Sequence, residues 1–231
     1  MNKYTAIFFG FVGLVIIAYF ATRNTYSAPS TQADASSYAA QEVVTKTAAQ
    51  ASENKAKILT VTDGDYSMGS ANAPVVLIEY ASLSCPHCAQ FHEKVVEPLI
   101  PTYIESGKVR YVFRDFPLNA PALEAAKLAH CAGHDRYFSF LKVLFQSQPN
   151  WVLAVPELKK IAAMGGIDEA KYDECQKNKD IENKILTTQK IAAEQLDVSS
   201  TPTIFINGRI YEGAHNFEQA SEFIDKLLKG E

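Results

Sequence analysis

Ser84-Cys85-Pro86-His87-Cys88 joins an apolar, β-prone run, Val75-Val76-Leu77-Ile78-Glu79-Tyr80, to an amphipathic stretch from Ala89 to Ile104. A C-x-x-C at a strand-to-helix junction is placed for redox chemistry, because its two sulfurs can close on each other. The free N–H groups and partial positive charge of a helix N-terminus favour a thiolate on Cys85. That thiolate is the nucleophile of disulfide exchange. Cys88 lies one helical turn further in and reads as the more buried thiol of higher pKa. Cys85 is therefore the attacking sulfur and Cys88 the resolving one. His87, between them, adds a donor or a positive charge. A structural zinc site needs four ligands, and the remaining cysteines, Cys131 and Cys175, are isolated and far apart, so no metal is expected.

Between Lys3 and Arg23 run 19 residues without a charge. As a helix they span roughly 29 Å, enough for a bilayer core. The same pattern suits a signal peptide, although Tyr26 is large where a cleavage site wants a small residue. Residues 1–23 are thus a signal peptide or a membrane anchor, and either reading exports the rest. Residues 24–56, rich in Ala, Ser, Thr and Gln, read as a flexible or partly helical linker. The chain from residue 57 is long enough for one domain with a substantial core. Net charge is −4 with no basic run, which speaks against nucleic acid as a partner. There is no repeat and no phosphate-cradling glycine motif, and no cofactor is implied.

Within the folded part, Ile58–Val61 reads as a first short strand, Asp63-Gly64-Asp65 as a turn, and Met68–Pro74 as a loop into the strand Val75–Ala81. Pro98 and Pro101 are expected to kink or interrupt the helix after the dithiol. Val109–Asp115 alternates as a strand, joined to the earlier one by a right-handed parallel crossover. Helical periods then take over: 122–131, 137–146, 155–164, 169–178 and 181–196, with breaks at Gly133, Pro149 and Gly165-Gly166. Thr203–Ile206 reads as a strand, Asn207-Gly208 as a two-residue hairpin turn and Arg209–Tyr211 as its partner strand. Phe217–Leu228 closes the chain as an amphipathic helix. The order is β-α-β, a helical insertion, then β-β-α.

This order, with Cys85-Pro86-His87-Cys88, Glu79 in the preceding strand and the distant Thr201-Pro202-Thr203, resembles the DsbA family of periplasmic thiol:disulfide oxidoreductases. The resemblance runs from about Ile58 to the C-terminus. It implies an α/β, thioredoxin-like fold with an inserted all-helical domain: residues 57–118 and 198–231 form the thioredoxin-like parts and 119–197 the insertion. It also implies that Pro202 is cis and that Thr201 offers its backbone to an extended substrate beside the sulfurs. Thr201 stands where the strongest oxidants of the family often carry Val. Glu79 matches the family's buried acid, a proton relay for Cys88, whereas plain strand alternation would turn it outward to water.

The implied activity is that of a dithiol oxidase, which inserts disulfides into exported proteins in the periplasm through Cys85 and Cys88. Its implied partner is a membrane, quinone-linked DsbB-like reoxidase. A disulfide isomerase or reductase uses the same motif at a more reducing poise, and a copper-handling protein would use the same thiols as soft ligands. Pairing Cys85 with Cys88 leaves Cys131 and Cys175 to each other, a second pair known in some α-proteobacterial members. The other reading is two buried free thiols. His92, His130, His134 and His215 show no ligand spacing and read as surface or packing residues.

Overall fold

The computed structural model describes residues 50–231. The apolar run expected between Lys3 and Arg23, and the linker up to residue 49, lie outside the described residues. Val75–Ala81 (β2) is the central strand, and six of its seven residues are buried, as its Val, Leu, Ile and Tyr content requires of a strand covered on both faces. It pairs in parallel with Val109–Asp115 (β3) and antiparallel with Thr203–Ile206 (β4). Tyr66–Met68 (β1) runs antiparallel to β3, and Arg209–Ile210 (β5) antiparallel to β4. The sheet order is β1-β3-β2-β4-β5. A parallel pair needs a crossover, and β2 reaches β3 through the helix that follows the dithiol.

That helix, α1, begins as Pro86–Phe91 and continues through His92–Val96, Glu97–Leu99 and Ile100–Ile104. The two prolines do not stop it. The chain widens instead into π-helical turns at His92–Val96 and Ile100–Ile104, where Glu105 N–H reaches the Ile100 carbonyl at 2.9 Å. A wider turn absorbs the donor that proline removes.

The expected first strand at Ile58–Val61 is not one. Residues 51–58 are helical, and the strand lies later, at Tyr66–Met68. The reason is Arg114, whose guanidinium takes the Ile58 carbonyl at 2.7 Å and the Thr60 carbonyl at 3.0 Å. Backbone bound to a side chain in this way is withdrawn from a ladder. Arg114 also bonds both oxygens of Asp65, at 2.8 and 3.0 Å, and the Tyr80 hydroxyl at 2.8 Å.

Between β3 and β4 come Ala120–Cys131 (α2), His134–Gln146 (α3), Gln148–Trp151 (α4), Glu157–Met164 (α5), Glu169–Lys177 (α6) and Lys179–Gln195 (α7). Their starts follow capping chemistry. Asn119 accepts from Ala122 N–H at 2.9 Å, Asp168 from Lys171 N–H at 2.8 Å, and Asn178 from the N–H groups of Asp180 and Ile181. The short α4 falls where Pro149 had marked a break; proline near the start of a helix costs no bond. Asn207 and Gly208, at φ of 47° and 77°, make the two-residue hairpin turn. Phe217–Lys229 (α8), capped by Asn216, closes the chain.

The sheet separates two apolar clusters. One packs Val75, Leu77 and Ala81 under α1, α8 and the insertion. The other joins Ile78, Tyr80, Val112 and Phe205 to Ala192, Leu196 and Val198. Alternation along β2 therefore sends Glu79 to the α1 side, with Leu77 and Ala81.

Candidate active site

Cys85 is the N-cap of α1 and Pro86 its first helical residue, so the N–H groups of the opening turn remain for the sulfur. The Cys85 thiol donates to the Thr201 carbonyl at 3.4 Å, across 116 residues of sequence. The Thr201–Pro202 bond is cis. The hydroxyl of Thr201 is buried and finds no other partner. A hydrogen bond from Cys88 lowers the Cys85 pKa first, followed by the Thr201 side chain and the backbone N–H groups of Cys88 and His87. Together they outweigh burial and bring it to about 5. Burial does the reverse to Cys88, which is 0% exposed and pushed far above the ordinary thiol range. Both thiols are free. A stabilised thiolate on Cys85, which keeps 7% of its surface open, beside a fully sealed thiol on Cys88 is the asymmetry that disulfide exchange needs.

Glu79 does not face water. Its carboxyl is 0% exposed and takes the Tyr111 hydroxyl at 2.6 Å, while its other oxygen has no partner. Desolvation raises its pKa to about 8, against the Tyr111 hydrogen bond and with help from the Cys85 charge. It is a neutral acid at neutral pH, and when it ionises its charge pushes the Cys88 pKa further up. His87 has an exposed side chain, and what it brings to Cys85 is its backbone N–H. Cys131 and Cys175 are joined in a disulfide with Cα atoms 6.0 Å apart, tying the end of α2 to α6.

Three side chains that the sequence did not single out complete the site. Gln148, on α4, donates through one nitrogen to the Leu83 carbonyl at 2.6 Å and to the Cys85 carbonyl at 3.0 Å. The helical insertion thus grips the loop that carries the dithiol. Tyr111 anchors Glu79. His92, buried one turn beyond the dithiol, meets the Glu97 carboxylate at 3.2 Å. Of the other histidines, His130 is buried against Asp115 at 2.7 Å, His134 stacks on Tyr66, and His215 lies edge-on to Phe91. Only the tight spacing of the apolar run around His92 hinted at its burial. Gln148 carried no signal at all.

A sequence profile described as Thioredoxin matches residues 61–226. Wolbachia pipientis alpha-DsbA1 superposes with a TM-score of 0.72 at 32% identity, covering 76% of this chain and 96% of that one. A Rickettsia felis protein bearing the name of a protein-disulfide oxidoreductase is 30% identical over 173 residues, 73% of this chain. The matched region spans only 62% of that relative's length. Disulfide bond formation protein D of Bacillus subtilis is 25% identical over 173 residues, covering 71% of this chain and 77% of that protein.

Proposed function

We propose that this chain, which belongs to the DsbA family of thioredoxin-fold thiol:disulfide oxidoreductases, is a dithiol oxidase that donates the Cys85–Cys88 disulfide to exported proteins. The observation that carries the reading is the Cys85 thiolate, with its pKa near 5, set against a sealed Cys88. A low thiolate pKa stabilises the reduced form, and a stable reduced form makes the disulfide a strong oxidant.

In the oxidised enzyme a substrate thiolate attacks Cys85, the Cys85–Cys88 bond breaks, and a mixed disulfide forms. Cys88 leaves as a thiolate in a buried place that disfavours charge, so it takes a proton. Glu79, neutral and on the same side of the sheet, is the donor. A second substrate thiolate then attacks the substrate sulfur of the mixed disulfide and expels Cys85 as its stabilised thiolate. Two electrons pass from substrate to enzyme. The Thr201 carbonyl, beside Cys85, offers the extended substrate a backbone acceptor.

Turnover then needs a reoxidant, and a quinone-linked, DsbB-like membrane protein is the partner proposed. The periplasm is the proposed compartment, supported by the uncharged run before Arg23. Assayed on a reduced, unfolded protein, Cys85→Ala should abolish disulfide transfer. Cys88→Ala should accumulate mixed disulfides, since the neighbouring thiol that can return to Cys85 and release the substrate is gone and only a second substrate thiol can still do so. Full activity in Cys85→Ala would overturn the assignment.

A further inference from the structure

Beside the dithiol, α1 and the insertion leave a cleft of about 300 Å³ that the exchange chemistry does not use. Its walls are Pro86, Ala89 and Phe145, and its polar groups include Gln90, Glu93 and Gln146. Pro86, Ala89 and Gln90 follow Cys85 by one, four and five residues, so the cleft opens within about one helical turn of the reacting sulfur.

The polar groups of this cleft offer acceptors. Glu93 is exposed, and among the described residues no cation pairs with it. Gln148 spends its nitrogen on the Leu83 and Cys85 carbonyls, so its amide oxygen is what it has left. His92 lines the cleft, is only 4% exposed, and neither ring nitrogen makes a hydrogen bond. Its contact with Glu97 lies outside hydrogen-bond alignment. Burial holds the ring neutral, its pKa lowered to about 4 against the pull of Glu97 and with the help of Lys142. A neutral imidazole keeps one acceptor nitrogen, but both ring nitrogens are sealed from the cleft, and the open acceptors are the amide oxygens of Gln90, Gln146 and Gln148. Lys142 is held by Glu97.

A concave site with apolar walls, one unpaired carboxylate and several unfilled acceptors matches a group made of donors on an apolar stem. The guanidinium has five N–H donors, no acceptor, and a planar face that packs on Phe or Pro surfaces. We propose that this cleft is a substrate subsite that receives an arginine side chain close in sequence to the cysteine being oxidised. This rests on the oxidase reading and names the substrates it favours: exported chains with arginine beside a cysteine.

The test uses cysteine peptides with arginine, citrulline or glutamate at each of the three positions on either side of the cysteine. The rate of attack on the oxidised enzyme is measured for each. Citrulline keeps the shape and loses the charge. The arginine peptide should react about fivefold to tenfold faster than its citrulline twin at one or more positions. Glu93→Gln should bring that ratio close to one. In parallel, a serine-for-cysteine arginine peptide titrated into labelled protein should shift the amide resonances of Ala89, Gln90, Glu93 and Gln146, and the citrulline twin should not. Equal rates for arginine and citrulline at every position, or a ratio untouched by Glu93→Gln, would overturn the subsite. If no peptide reacts, the oxidase reading fails. The titration then decides the cleft by itself, and absence of arginine-dependent shifts rejects it.

Discussion

Replacing Glu79 by Gln should change stability in opposite directions at low and high pH. In the folded protein the carboxyl is fully buried, and desolvation raises its pKa from 4.5 to about 8. Between those values the unfolded chain has released the proton while the folded chain still holds it. The unfolded state then binds fewer protons, so the stability of the parent protein falls as pH rises. At about 1.4 kcal/mol per pH unit the loss reaches about 5 kcal/mol above pH 8 and vanishes below pH 4.5. Gln cannot ionise and escapes this slope. Its oxygen still accepts from Tyr111, but its amide hydrogens enter a place where one carboxyl oxygen already lacks a partner, at about 1–2 kcal/mol. The variant should therefore be about 1 kcal/mol less stable than the parent at pH 4.5 and about 3 kcal/mol more stable at pH 8. Urea unfolding of both reduced proteins across this range measures the difference. A difference that stays flat from pH 5 to pH 8 would show that Glu79 is not a buried neutral acid, and its place as proton donor would go with it.

Gln148→Ala leaves two buried carbonyls without their side-chain donor, and should cost about 1–3 kcal/mol in chemical denaturation while slowing attack on the dithiol. An unchanged unfolding midpoint would mean that the insertion does not hold the catalytic loop. Replacing Cys131 and Cys175 by Ala opens a bridge across 44 residues, worth about 4 kcal/mol in the chain-entropy picture. The melting temperature should fall while disulfide transfer continues; a folded but inactive variant would put this pair into the chemistry.

What the sequence made legible was local. The dithiol at the start of a helix and the Asn-Gly hairpin depend on residues a few positions apart, and each lies where its chemistry directs. The Thr201-Pro202-Thr203 loop could be read only because a family resemblance linked it to sulfurs 116 residues away. Contacts of that range, without such a guide, were not legible. Gln148 reaches Leu83 across 65 residues and Arg114 reaches Thr60 across 54. The first left no pattern to read, and the second withdrew Ile58–Val61 from the sheet although its side chains suit a strand. The fate of Glu79 was open for a similar reason. Alternation assigns a face to every second residue, but only the packing of α1 and the insertion over that face makes it buried. Pro98 and Pro101 show the limit of residue rules inside an element, since α1 widens into π turns where a kink or an interruption was expected.

The central claim is that Cys85 and Cys88 form a strongly oxidising pair because the reduced enzyme carries a stabilised thiolate. The reduction potential of that pair, measured by equilibration with glutathione on the intact chain, tests it most directly. The expected value is more oxidising than about −180 mV. A value more negative than about −230 mV would place the protein among reductants and contradict the oxidase reading.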